Sequence, residues 1–271
     1  MSQAPFRLPA LASLAVTGDD ARDFLQNQLS ADLRLVADGR GQLAGWHDPK
    51  GRVLAFLRVL PRPEGYLLVM HAGLLETVSR RLRMFVLRAK VELANGPPVY
   101  GVPATDLDVL LPPGTAAPDE GDCPPETLPA VVTERLSALR LPGGWLVAGE
   151  LDAAATRDDP KAVAAWERAE LEAGLPEIYP ETSGEFVAQM INLDRIGAVS
   201  FTKGCYPGQE IVARAHHLGR VKRRARVLPL DVPPPAPGTK LEQPEGTVVR
   251  SVAADGGSLA LVVGAAESGA S

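Results

Sequence analysis

Along the first hundred residues apolar positions fall in short continuous runs between turn residues or at 3.6-residue spacing, and each switch marks an element boundary. Ala12 to Thr17 reads as a short strand, and Asp19 caps a following helix whose apolar face is Ala21, Phe24, Leu25 and Leu29. Gln42 to Trp46 and Arg52 to Leu60 read as strands around the turn His47-Asp48-Pro49-Lys50-Gly51, and Pro61 to Gly65 leads into a third, Tyr66 to Met70. Short turns between successive strands predict an antiparallel meander. The next helix carries Leu74, Leu75, Val78, Leu82, Phe85 and Val86 on one face, with Arg80, Arg81 and Arg83 on a solvated side.

Lys90 to Leu93, Val99 to Val102 and Leu107 to Leu111 read as short strands, and the Pro-, Gly- and acid-rich run Pro112 to Pro129 as a surface loop. Leu136 to Leu141 and Trp145 to Ala148 form a hairpin across Pro142-Gly143-Gly144. Asp159 and Pro160 start a helix that Gly174 and Pro176 stop, with a stripe of mostly small residues at Ala162, Ala165, Trp166, Ala169 and Ala173. Arg168, Glu170 and Glu172 lie off that stripe and read as surface charge on spacing alone. Beyond Lys222 the pattern becomes Arg224 to Leu230, a Pro-rich bend at Pro233 to Gly238, and strands Val248 to Ala253 and Leu259 to Gly264. Strands and helices in this order make the chain α+β, with a small antiparallel, barrel-like unit at the C-terminus.

Composition narrows the function. The 271 residues can bury a large core, and 45% are hydrophobic, as in a soluble globular protein. A net charge of -5 argues against a protein that coats nucleic acid indiscriminately. Cys123 and Cys205 are too few for a disulfide framework or a four-thiolate metal site. Leu8 to Val16 lacks a cleavage site and nothing approaches the ~20 apolar residues of a membrane span, so the expected compartment is the cytoplasm.

Candidate chemistry concentrates in Phe201 to Arg214, F-T-K-G-C-Y-P-G-Q-E-I-V-A-R. Pro207 suits a first helical position and Gly208, Ile211, Val212 and Ala215 follow at helical spacing, which predicts a helix from just after Tyr206. Cys205 then lies at the positive end of that helix with Lys203 two residues upstream, both favouring thiolate, while Glu210 opposes. Spacing equally allows an inert buried thiol.

The stretch K-G-C-Y-P-G-Q-E resembles the signature of the YgfZ family, folate-binding relatives of the glycine cleavage T protein implicated in iron-sulfur protein maturation and tRNA modification. Similarity continues through A-E-L-E-A-G-L-P-E-I, E-F-V-A-Q-M-I-N-L-D and G-A-V-S-F, and through F-L-Q-N-Q-L-S-A-D-L and D-P-K-G-R-V near the N-terminus. It covers most of residues 12–224, with Leu111 to Thr133 unmatched. The resemblance implies a T-protein-like folate-binding region over residues 1–221 and a small, abbreviated C-terminal β-barrel over residues 222–271. It implies tetrahydrofolate as cofactor, with Glu172 pairing with the pterin donors and Tyr206, Gln209, Glu210, Arg214 and Arg220 around the ligand. It makes Cys205 and Lys203 the reactive pair, and iron-sulfur client proteins the partners, with an indirect link to tRNA. No resident metal is implied; a cluster would be shared, transient or on a client.

One departure bears on activity. The aminomethyltransferases carry an aspartate pair just after the D-P-x-G-G turn, where this chain has Ala55 and Phe56. Methyl and phenyl groups transfer no proton, which disfavours glycine cleavage. The favoured function is a folate-binding protein that uses Cys205 to assist assembly or repair of iron-sulfur proteins. The alternatives are a folate-dependent one-carbon transferase and an RNA or protein interaction module. The last is prompted by Arg214, Arg220, Lys222, Arg223, Arg224 and Arg226, charges that would equally attract a folate polyglutamate tail.

Overall fold

A computed structural model describes residues 4–266 apart from 38, 120, 122 and 218–220. The apolar runs become strands that are covered on both faces, as the unbroken burial of Val53–Pro61 shows. In chain order the elements are β1 (Phe6–Arg7), β2 (Leu11–Thr17), α1 (Ala21–Gln26), β3 (Arg40–His47), β4 (Val53–Arg62), β5 (Gly65–His71), α2 (Leu75–Val86), β6 (Glu92–Asn95) and β7 (Val99–Val102). Then follow β8 (Leu128–Val132), β9 (Leu136–Leu141), β10 (Gly144–Gly149), α3 (Pro160–Glu172), α4 (Gln209–His217), β11 (Arg223–Leu230), β12 (Lys240–Glu242), β13 (Glu245–Ala254) and β14 (Gly257–Ala265).

Two antiparallel sheets result. The larger has the order β1-β7-β10-β9-β8-β3-β4-β5-β2-β6, and the smaller β11-β14-β13-β12. The expected meander is β3-β4-β5, with Gly45 opposite Phe56 and Arg58 opposite Val69. It joins the β7–β10 half through a short seam, Arg40 opposite Pro129 and Gly41 opposite Leu128. Val249, Val252, Leu261 and Val263 of the smaller sheet share one core with Trp166, Leu171 and the meander, while Leu230, Val248, Ala260 and Val262 form a separate cluster.

Several expectations are corrected. Leu128–Val132 is a strand, so the surface loop ends earlier than Pro129, and Leu107–Leu110 is a 3-10 turn in which Leu107 alone is buried. Asp20, not Asp19, precedes α1, and its carboxylate accepts from Lys90 N at 2.7 Å rather than capping the helix. Asp159 does cap α3, accepting from Lys161 N and Ala162 N, and Gly174 at φ +75° ends it. The buried face of α3 is Trp166, Glu170 and Leu171, with Ala165 and Ala173 exposed, so the small-residue stripe is not the packing face. Phe85, placed on the inner face of α2, is exposed.

Glu170 is buried because it has partners. Arg58, at the middle of β4 and wholly inaccessible, donates from Nη1 to Glu177 Oε2 at 2.8 Å and from Nη2 to Glu170 Oε1 at 3.0 Å. Arg250 of β13 reaches Glu170 Oε2 at 3.2 Å. One carboxylate on α3 thus ties the large sheet to the small one. Burial penalises its charge, yet Arg58 and Arg250 hold the Glu170 carboxyl below its ordinary value.

Candidate functional site

The cysteine loop is built outward from two buried anchors. Lys203 is 5% exposed and its Nζ donates to the carbonyls of Gln26 (2.6 Å), Leu29 (2.6 Å) and Ala31 (2.8 Å), the oxygens left open where α1 ends. Burial pulls its pKa down to about 8, so at neutral pH it remains the three-donor ammonium that three carbonyls require. Tyr206, also buried, lies with its ring 5.3 Å from Lys203 Nζ and 5.8 Å from the His47 ring. Between these inward-facing residues Cys205 is exposed.

Gly208 closes the loop against the Asp48-Pro49-Lys50-Gly51 turn. Its φ is +78°, and a Cβ there would lie 2.5 Å from Asp48 O and 2.7 Å from Gly51 Cα, so the two backbones meet with no side chain between them. Ser30 ties in the start of the loop, accepting from Ser200 N at its carbonyl and donating from Oγ to Ala198 O at 2.6 Å. Phe201 stacks on His216 of α4 with centroids 3.8 Å apart.

This geometry revises the expected activation of Cys205. Helix α4 begins at Gln209, because Pro207-Gly208 is a turn and not a first helical turn. The sulfur is therefore four residues before the helix, and no described hydrogen bond joins it to Lys203, whose donors are all spent on carbonyls. Gln209 stays close, with Nε2 at 3.5 Å from Lys203 O. Glu210 and Arg214 are exposed on α4, and Arg220 lies outside the described residues.

Beneath the loop, His47 is 2% exposed and neither ring nitrogen has a hydrogen-bond partner. Burial lowers its pKa to about 4. Gly45 leaves it room, since a Cβ there would come within 2.7 Å of His47 Cε1.

A second polar assembly lies where β5, α3 and β13 converge. His71, Trp166, Glu167, Glu170, Tyr179 and Arg250 line a cleft roofed by Leu8 to Leu11, with room for ≈ 30 Å³. His71 and Tyr179 face each other with centroids 4.7 Å apart, and His71 Nδ1 accepts from Gly73 N, leaving Nε2 as the donor. Trp166 Nε1 and Arg250 Nε are buried without partners. Burial raises the Glu167 carboxyl above its ordinary value, with Arg250 opposing, and pushes the Tyr179 phenol up to about 12. Unspent polar groups are thus gathered in one recess. Among the described residues no group of three or more His, Cys, Asp or Glu is placed to hold a metal ion, and no helix is long and apolar enough to cross a membrane.

Comparison with known proteins gives the ancestry. No protein-family model matches the chain. It is 32% identical over 224 residues to the tRNA-modifying protein YgfZ of Klebsiella pneumoniae (strain 342), an alignment covering 78% of this chain and 67% of the relative. The chain belongs to the YgfZ family. The YgfZ of Edwardsiella ictaluri (strain 93-146) is 30% identical over 227 residues (80% and 68% of the two chains), and that of Cronobacter sakazakii (strain ATCC BAA-894) 28% over 268 residues (92% and 80%). The fold is that of the glycine cleavage T protein: the crystal structure of glycine cleavage system aminomethyltransferase T from Bartonella henselae matches with a TM-score of 0.65 at 14% identity, over 96% of this chain and 77% of that one.

In this YgfZ-family chain Glu172 is at the surface, not in the cleft. Its side chain is half exposed and accepts from Arg168 Nε at 2.8 Å, because two residues along a helix from buried Glu170 is about 200° round it, the opposite face. Ala55 and Phe56 are both fully buried, and the Phe56 ring lies 5.1 Å beneath the Arg58 guanidinium. Part of the basic run is committed: Arg224 grips Asp194 at 2.7 Å and Gln189 O at 3.0 Å, and Arg223 donates to Val263 O at 3.1 Å, while Arg214 and Lys222 are exposed. Sequence reasoning missed the cleft because its residues are scattered from His71 to Arg250, and missed His47 although it opens the D-P-K-G-R match.

Proposed function

We propose that this YgfZ-family protein binds a tetrahydrofolate and presents Cys205 to iron-sulfur proteins during their assembly or repair, including enzymes that modify tRNA. The observation that carries this reading is the cysteine loop: Lys203 and Tyr206 are fixed in the core and Gly208 is locked to Gly51, so Cys205 is held outward on a rigid frame. A single exposed thiol can supply one ligand to a cluster shared with a client and cannot hold a cluster alone. Its rigid display lowers the ordering cost of that encounter.

The folate is assigned to the cleft rather than to Glu172. Glu167 accepts from Arg250 Nη2 at its backbone carbonyl, its carboxylate has no described hydrogen bond, and the two carboxylate oxygens match the parallel donors on a pterin's 2-amino and N3 edge. Trp166, His71 and Tyr179 offer ring faces, and Trp166 Nε1 and Arg250 Nε offer unspent donors. The lining chemistry fits. The space, ≈ 30 Å³, holds a water or two where ligand pockets run to about 300 Å³ or more, so binding requires the Leu8 to Leu11 roof to lift. Bound tetrahydrofolate would supply a one-carbon carrier. With apolar Ala55 and Phe56 on β4, the chain's own residues position it and exclude water, and no aspartate on that strand moves a proton.

Titration with tetrahydrofolate, followed by tryptophan fluorescence, tests the first half. Glu167→Gln should weaken binding by about 2 kcal/mol and Glu172→Gln by less than about 0.5. The reverse order returns the ligand to Glu172. For the second half, Cys205→Ser should keep folding and folate affinity yet fail to restore tRNA methylthiolation to deficient cells; full restoration defeats the role given to the thiol.

A further inference from the structure

The last turn of α2 ends on an exposed apolar knob. Met84, Phe85 and Leu87 are 62%, 48% and 87% exposed, three large apolar side chains within four residues. The chain holds Leu87 outward at a conformational cost. Val86 to Ala89 is a turn closed by Ala89 N donating to Val86 O at 2.8 Å, and Leu87 in it has φ +45° and ψ -102°. That position of a type II′ turn is glycine's, and a leucine side chain there is held in a disfavoured backbone conformation. The other non-glycine residue described with positive φ is an asparagine, Asn192, a type that tolerates it.

Around the knob stand Arg80, Arg81, Arg83 and Arg88, none with a carboxylate partner among the described residues. Two are already fixed: Arg81 lies over the Trp46 ring at 5.5 Å, and Arg83 donates to Leu93 O at 2.9 Å. In a chain of net charge -5 this is a local excess of unneutralised, pre-positioned positive charge.

We infer that the end of α2 is a docking site for an acidic amphipathic segment of another protein, whose apolar residues cover Met84, Phe85 and Leu87 while its carboxylates meet the four arginines. A second copy of this chain is disfavoured, because a two-fold contact would set arginine against arginine. RNA would reward several stacking faces, and of the three knob residues Phe85 alone offers one. A lipid surface has mobile headgroups and gains nothing from guanidiniums held in place by Trp46 and Leu93.

The test uses the full chain and a fluorescein-labelled four-turn peptide of Glu and Leu, with one twin carrying Lys for Glu and another Ser for Leu. By anisotropy at physiological ionic strength the Glu/Leu peptide should bind at least about tenfold tighter than either twin. Leu87→Gly should weaken binding about fivefold or more while leaving the thermal midpoint unchanged or higher, since it removes both the anchor and the strained conformation. Arg80→Glu with Arg88→Glu should shift preference to the Lys twin. The inference is overturned if the Lys twin binds as well as the Glu peptide, or if Leu87→Gly retains full affinity. Tighter binding to phosphatidylserine vesicles or to a single-stranded RNA than to the peptide, or self-association abolished by Leu87→Gly, would also overturn it.

Discussion

His47 should make the protein acid-sensitive, and replacing it should remove that sensitivity without cost at neutral pH. Its pKa is about 4 in the folded chain against 6.5 for a free histidine. The unfolded chain therefore binds a proton between those values that the native state refuses, and linkage makes stability rise with pH across that window. The contribution is fully present above about pH 6.5, falls by about 2 kcal/mol between pH 7 and pH 5, and by about 3 kcal/mol once pH is below 4. His47→Phe keeps the ring against Tyr206 and forfeits no hydrogen bond, since neither nitrogen makes one. The variant should match or exceed the wild type at pH 7 and exceed it by about 2 kcal/mol more at pH 5. Urea unfolding at pH 7, 6 and 5 measures this directly. A constant difference between the two proteins across that range, or a variant less stable by more than about 1 kcal/mol at pH 7, would show that the imidazole has a partner and that the reasoning is wrong.

Lys203→Met should lower stability by about 3 kcal/mol, the loss of three charge-assisted bonds less the relief of burying an ammonium, and should speed proteolysis within residues 201–208. A loss below about 1 kcal/mol with unchanged proteolysis would deny Lys203 its anchoring role. Arg58→Met alone should cost about 3–5 kcal/mol by stranding Glu170 and Glu177, and adding Glu170→Gln and Glu177→Gln should recover more than half of it. Denaturant titration of the single and triple variants decides between this and simple additivity.

What was legible in the sequence is what short-range chemistry determines. Asp159 and Pro160 announce α3, Gly174 ends it, and short apolar runs between turn residues mark β3, β4 and β5, because each signal acts within a few residues of itself. Pro207-Gly208 was misread because proline at a helix's first position and proline in a turn fix the same φ; the close approach of Gly51, far away in the chain, selects the turn. Helical spacing grouped Phe85 with Leu82, yet no described residue covers the end of α2. Glu170 reads as a surface charge and Lys203 as a reactive amine until Arg58, 112 residues from Glu170, and the carbonyls after α1 supply their partners. The cysteine motif and its family were readable because eight adjacent residues carry them, whereas the cleft has no contiguous signature.

The Arg58–Glu170–Arg250 bridge also decides how the chain can be cut. Truncation before β11 would remove Arg250 and the Val249, Val252, Leu261 and Val263 side chains that complete the core beneath α3. The remaining piece would carry a half-neutralised carboxylate on a newly wetted apolar face, and such a fragment is expected to aggregate rather than fold. Hydrogen exchange should then find β4, α3 and β13 opening in a single cooperative step, one foldon assembled from segments nearly two hundred residues apart.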